Sequence, residues 1–208
     1  MATVQLVTGS GSTIQADGYR LSGFPWVFFG GSVDTRVCST TTGDVTYYAL
    51  DNSETPVYRL KCLKDVTLAP TYNEFEDWCD GQLISKKVLQ GFTQTMTLTE
   101  DIVDLSFLRW FFRQPAGSYD WEDGCSIESL LIGNMCSQVM PVLWEHHYVH
   151  CSSADMYMGI LAFEAELSLG DISVDGNEGY SAELTIAVRY SNTYGAYLAL
   201  MRYDPQSL

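Results

Sequence analysis

The chain has 208 residues, 46% hydrophobic and 18% charged, which is enough material for a packed core in one domain. Its 26 acidic residues against 11 basic ones give a net charge of −15 and a pI near 4.3. So acidic a surface repels phosphates and excludes a protein that reads DNA or RNA sequence, although DNA could still slide past it without adhering.

Aromatics make up 13%, with 13 Tyr and 17 Gly, which favours strands and turns over a helical bundle. No run of about 18 apolar residues suggests a membrane anchor. The opening MATVQLVTGSGSTIQADGYR has neither a basic nor an apolar leader segment, and the expectation is a protein made and kept in a reducing cytoplasm. The six cysteines (Cys38, Cys62, Cys79, Cys125, Cys136, Cys151) are widely and irregularly spaced without a C-x-x-C, and read as free thiols.

Residues 1–24 are rich in Gly, Ser and Thr and read as an extended arm able to dock on a neighbour; residues 25–208 read as one β-rich domain. PWVFF (25–29) is an apolar strand ending at Gly30-Gly31, and DVTYYAL (44–50) is a second strand closed by DNSETP. From Pro56 a period of two places Tyr58, Leu60 and Cys62 on one face, with Arg59 and Lys61 on the other.

Beyond Pro70 that alternation stops, and TYNEFEDWCDG reads as a long protruding acidic loop. Its aromatics Tyr72, Phe75 and Trp78 are costly to expose, so they either fold back on their own domain or are buried against the next copy of the chain. In 92–99, Phe92, Gln94, Met96 and Leu98 point one way while four threonines point the other, a ladder suited to a wet strand face.

Asp101 and Asp104 suit a helix start, Leu105, Leu108 and Phe112 form an apolar stripe, and Pro115 with Gly117 ends this one short helix. YDWEDGCS (119–126) reads as a turn, and SLLIGNMCSQVMPVLWEHHYVHC as two strands broken near Gly133–Asn134 or Pro141. Further on, Phe163, Ala165, Leu167 and Leu169 alternate with Glu164, Glu166 and Ser168. Tyr180, Ala182, Leu184, Ile186, Val188 and Tyr190 alternate likewise with Ser181, Glu183, Thr185 and Arg189. These are antiparallel strands with one wet face, joined through GDISVDGNEG, and YGAYLALMRY (194–203) is expected to cover an edge.

Little in the chain suggests catalysis. WEHHYVHC gathers His146, His147, His150 and Cys151, but strand alternation splits the set between two faces, so neither a metal nor another cofactor is expected. No phosphate loop, G-x-S-x-G or G-x-G-x-x-G occurs, and the chain is not expected to be an enzyme.

The run LAPTYNEFEDWCDGQLISKKVLQGFTQTMTLTEDIVDLSFLRWFF, with the strands in 158–190, resembles the tail tube (major tail) proteins of tailed bacteriophages. The matching features are a strand reaching a long loop, a DG turn into a second strand, and a Thr/Leu alternation before a helix near DL. The N-terminal 55 or so residues have no counterpart in that pattern.

The resemblance implies a mainly β fold, an antiparallel sandwich or partial barrel with one flanking helix and a protruding loop. Copies would form sixfold rings whose strands close into an oligomeric β-barrel, stacked into a virion tail that conducts DNA. It further implies that Tyr72, Phe75 and Trp78 contact the adjacent subunit or ring. Glu164, Glu166 and Glu183 would line an acidic lumen that DNA passes without specific binding. The implied partners are other copies of the chain, a tape measure protein, a terminator and a possible sheath, all assembled in a bacterial cytoplasm. The alternatives are a tail completion or terminator ring, and a β-rich binding or adhesion module with a Tyr-rich surface.

Overall fold

The computed structural model describes residues 6–9, 11, 13–15, 26–60, 67–79, 82–98, 110–111, 137–149, 155–175 and 179–203. The strands are β1 (Val7–Thr8), β2 (Thr13–Gln15), β3 (Trp26–Gly30), β4 (Ser32–Thr40), β5 (Gly43–Asp51) and β6 (Val57–Arg59). They continue as β7 (Ala69–Cys79), β8 (Gln82–Leu98), β9 (Gln138–Val149), β10 (Asp155–Asp175), β11 (Gly179–Arg189) and β12 (Leu198–Tyr203). The protein is mainly β, as its composition implies.

The described residues form two sheets. A large one runs β2-β6-β3-β9-β10-β11-β8-β7, with β12 also on β10; a small one runs β1-β5-β4. Most pairings are antiparallel; β1 with β5 and β2 with β6 are parallel. The path of the large sheet is open, so no closed barrel is formed among the described residues.

The large sheet is curled. Its concave face carries one core, built from Val27 and Phe29, Tyr58 and Leu60, Val142 and Trp144, Ala165 and Leu167, Leu184 and Ile186, and Met96. Strands from both ends of the sheet contribute, and Trp144 of β9 bonds Gln94 of β8 across the two strands between them, a reach that a curled sheet permits. Trp110 and Phe111 are helical and close this core: Trp110 lies 5.3 Å from the Tyr58 ring and 6.3 Å from Phe29, and Gln138 Nε2 donates to the Phe111 carbonyl at 3.2 Å. The rest of the expected helix, residues 101–109 and 112–114, lies outside the described residues.

On the convex face the small sheet covers the β3-β9-β10 end. Leu6 and Leu50 meet Phe28, Val57, Leu143, Leu161 and Phe163 there, a local sandwich. The chain passes from one sheet to the other at Gly30 and Gly31 (φ 90° and 72°), where a corner of one intervening residue requires left-handed backbone. Leu6 and β1 and β2 stitch part of the expected N-terminal arm into the protein's own sheets.

Several sequence expectations need correction. TYNEFEDWC does not form the expected loop: Ala69–Cys79 is strand β7, paired along its length with β8, and the alternation vanishes because residues 69–76 are exposed on both faces. The register pairs Cys79 with Gln82, with Asp80-Gly81 between them, the dipeptide that favours two-residue hairpins. Pro141 does not break a strand but sits inside β9.

Opposite Pro141, which has no amide hydrogen to give, β10 inserts an extra residue: Ala162 pairs with Val142 and Ala165 with Met140, so Phe163 and Glu164 face one position. That bulge turns Phe163 to the convex core, whereas Ala165 and Leu167 join the concave one; the four residues expected on one face are divided. GDISVDGNEG is mostly strand as well, since β10 runs on to Asp175.

β12 lies against β10 in line with β11, and the intervening excursion holds both faces together. Tyr194 stacks on Phe163 (4.4 Å, 12°) on the convex side, and Tyr197 meets Phe92 (6.3 Å) on the concave side. The aromatic stretch therefore covers part of the β10 edge, as expected, and also clasps the sheet.

Candidate assembly surfaces

One exposed element is the β7–β8 ribbon. Only Phe92–Leu98 of β8 pair with β11, so residues 82–91 pair with β7 alone and carry the ribbon about 33 Å past the body of the sheet. A bulge at Gln90 separates the ribbon from the core: Thr71 faces Gly91, and Tyr72 faces Leu89. The Tyr197 hydroxyl donates to the Leu89 carbonyl at 3.0 Å and ties the ribbon's root to the body.

Tyr72 and Phe75 are 53% and 54% exposed, and Val88 is exposed as well. Tyr72 stands opposite Leu89 on one face; Phe75, opposite Lys86, is on the other face with Val88. The two aromatics are therefore not gathered into one patch. Trp78 is placed in β7 opposite Leu83, and its side chain is not among those described. A directly opposite pair, Lys87 and Glu74, lies at 3.7 Å with both side chains exposed and contributes little to holding the ribbon.

The second surface is the uncovered convex face of β10, β11 and β8. Register gathers Glu164, Glu166 and Glu183 there, as alternation implies. Between them run hydroxyl rows: Ser168, Thr185 and Thr95 lie side by side, and Thr97 neighbours Glu183. Ser173 and Ser181 share a hydrogen bond of 2.8 Å farther out.

The three glutamates are not equivalent. The Ser191 hydroxyl donates to half-buried Glu164 at 2.6 Å. Glu166 is held by the Ser137 hydroxyl and by the guanidinium of Arg189, which keep its carboxyl below the usual range. Glu183 is exposed, opposite the bulge at Gly170-Asp171. The face is therefore a hydroxyl surface on which Glu183 is the exposed one of the three glutamates, rather than a uniformly acidic one. Arg189 is visible in the sequence, but register sets it opposite Glu164, and only the folded sheet brings its guanidinium diagonally onto Glu166.

Surfaces that sequence reasoning missed lie near the hairpin tips. Ile172 and Val174 continue the concave apolar stripe beyond Ala182 toward the end of β10–β11, at 48% and 67% exposed. On the β4–β5 hairpin, Val37 and Val45 are exposed. Local alternation could have flagged the first pair, had β10 been extended past Leu169.

His146 and His147 occupy successive positions of β9, the side chain of His147 is not among those described, and His150 and Cys151 lie outside the described residues. Among the described residues no group of three or more His, Cys, Asp or Glu could hold a metal, and no helix is long and apolar enough to cross a membrane. Cys38 is a free, half-buried thiol. Cys79 lies in β7, and the other four cysteines fall outside the described residues. No family model, curated protein or solved structure matches the chain.

Proposed function

We propose that the chain is a structural protein that works by self-association, as a tail tube subunit of the kind found in tailed bacteriophages. In this reading copies join laterally into sixfold rings, rings stack into a virion tail, and the tube conducts DNA without binding it. Other copies are its main partners, and the chain has no catalytic cycle.

The observation that carries the reading is a coincidence within four consecutive strands, β10, β11, β8 and β7. The convex face of β10, β11 and the Phe92–Leu98 part of β8 is polar and uncovered, and the outer edge of β7 and that of β10 beyond Leu167 are unpaired among the described residues. β7 is the end of the sheet, and β10 loses its β9 neighbour beyond Leu167. Unpaired edges of this length favour strand addition, and joining one copy's β7 edge to the next copy's β10 edge would remove both. Such a contact is head-to-tail, which generates rings when its rotation closes.

The ribbon supports stacking. An isolated two-stranded ribbon is marginal in water, and this one exposes aromatics on both faces, so burial against another ring would stabilise it. The hydroxyl face would meet the DNA, with Glu183 as the exposed repelling charge and Glu164 and Glu166 held by their partners.

The test is negative-stain electron microscopy of the purified protein with its mass in solution. Stacked rings or hollow tubes are expected. Single rings that never stack would instead identify a terminator-type subunit. Monomers at every concentration and salt, combined with binding to a glycan or protein ligand, would replace the reading with that of a binding module.

A further inference from the structure

We propose that the outer edge of β4 is a second, independent assembly surface, on which two copies of the chain pair antiparallel about a two-fold axis centred on Thr35. β4 ends the small sheet, with no strand beyond it among the described residues. Which of its backbone groups point outward follows from a neighbour. The Leu50 amide donates to the Leu6 carbonyl in β1, so it points away from β4. Val33, which faces Leu50, therefore sits in a non-hydrogen-bonded pair and turns its own N–H and C=O to the free edge.

Alternation extends that orientation to Thr35 and Val37. The Tyr194 hydroxyl reaches the Val33 carbonyl at 3.3 Å, in agreement, and leaves that oxygen a second lone pair.

The occupant is identified by the strand itself. Val33-Asp34-Thr35-Arg36-Val37 is complementary to its own reverse. Antiparallel pairing about Thr35 sets Thr35 against Thr35, Val33 against Val37, and Asp34 against Arg36 of the second copy, twice over. The facing pairs at 33, 35 and 37 are those whose backbone groups point outward, so each would exchange two hydrogen bonds. Val37, 58% exposed in the single chain, would gain Val33 of the second copy as a neighbour. Asp34 and Arg36, now bonded to each other at 2.7 Å with side chains 37% and 42% exposed, would become a ring of alternating charge.

This inference goes beyond the tube reading and does not rest on it. A two-fold contact closes at two copies, whereas a tube grows by head-to-tail contacts, so the pairing belongs to the unassembled subunit. A five-residue edge contact is small, and we expect a weak dimer with a dissociation constant on the order of 10 µM.

The experiment is sedimentation of the soluble protein, after any polymer is pelleted, at about ten times that concentration. Wild type is expected to be dimeric. Asp34→Arg sets like charges against Arg36, and Arg36→Asp sets them against Asp34, so each variant alone should dissociate at least about tenfold more readily. Mixing the two restores both attractions, as does the double swap D34R/R36D, and dimers should return to within about threefold of wild type.

A second measurement does not depend on the charge variants folding. Thr35→Cys should form a disulfide between two copies at residue 35 under mild oxidation, which wild type and Thr46→Cys should not. A monomeric wild type, single variants that associate like wild type, a mixture that stays monomeric although both variants fold, or no cross-link at residue 35 would each overturn the proposal. Loss of dimers with tubes retained would leave the tube reading standing; dimers without tubes would leave only this one.

Discussion

Trp144 Nε1 donates a 2.6 Å hydrogen bond to Gln94 Oε1, and both side chains are buried. Trp144 belongs to β9 and Gln94 to β8, and two strands, β10 and β11, separate them in the sheet. The bond therefore crosses the concave interior rather than running along the sheet. It satisfies the only polar atom of the indole and an amide that would otherwise be costly to bury. It also fixes the curl that leaves the opposite face of β8 and β11 open.

Removing the acceptor tests that role. Gln94→Leu leaves the Trp144 N–H unsatisfied and should destabilise the subunit by about 1–3 kcal/mol in urea unfolding. Trp144→Phe should be destabilising too, and the double variant should cost less than the sum of the two. Strict additivity would show that the two side chains are not coupled.

The corner between the sheets depends on left-handed backbone. A Cβ added at Gly31 (φ 72°) would lie 2.7 Å from the Asp51 carbonyl oxygen and 2.8 Å from Val57 Cγ2. Gly31→Ala should therefore lower stability by more than about 1 kcal/mol, where an exposed glycine with ordinary backbone would gain from the change. A melting temperature equal to wild type would mean the corner adapts.

Tyr72→Ser and Phe75→Ser change only exposed positions of the ribbon, so the subunit should keep its β spectrum and lose little stability, within about 0.5 kcal/mol. Polymer should become shorter or disappear in micrographs. Tubes of normal length would show that the ribbon's aromatics do not hold rings together.

Glu166 provides a pH signature. The Ser137 hydroxyl and the Arg189 guanidinium lower its folded pKa, so its contribution is present above the unfolded carboxylate range and is lost as pH falls through the folded pKa. Glu166→Gln should accordingly be less stable than wild type at neutral pH, and the difference should shrink with acidification. A constant gap from neutral pH down to pH 3 would argue against ionic stabilisation. The proposed lumen role of the hydroxyl face is tested separately by Glu183→Lys, which should permit assembly yet slow DNA ejection from particles carrying it; ejection at the wild-type rate would argue that this face does not meet the DNA.

Much of the β framework was legible in the chain. Met96, Leu184 and Ile186 alternate with Thr97, Thr185 and Glu183 because a strand with one buried face must, and the core and the wet face follow directly. Asp80-Gly81 marked the return from β7 to β8 for an equally local reason.

The same rule failed for TYNEFEDWCDG. Alternation reports a difference between two faces, and a ribbon wet on both has none to report. Tertiary structure alone decided that Pro141 is absorbed by a bulge that sends Phe163 and Ala165 to opposite cores, since a bulge depends on the partner strand's register. It also decided that Arg189 meets Glu166, that the β4 edge is open among the described residues, and that Trp144 reaches Gln94. Each relation joins residues far apart in the chain, whose proximity is set by how the whole sheet curls rather than by any local pattern.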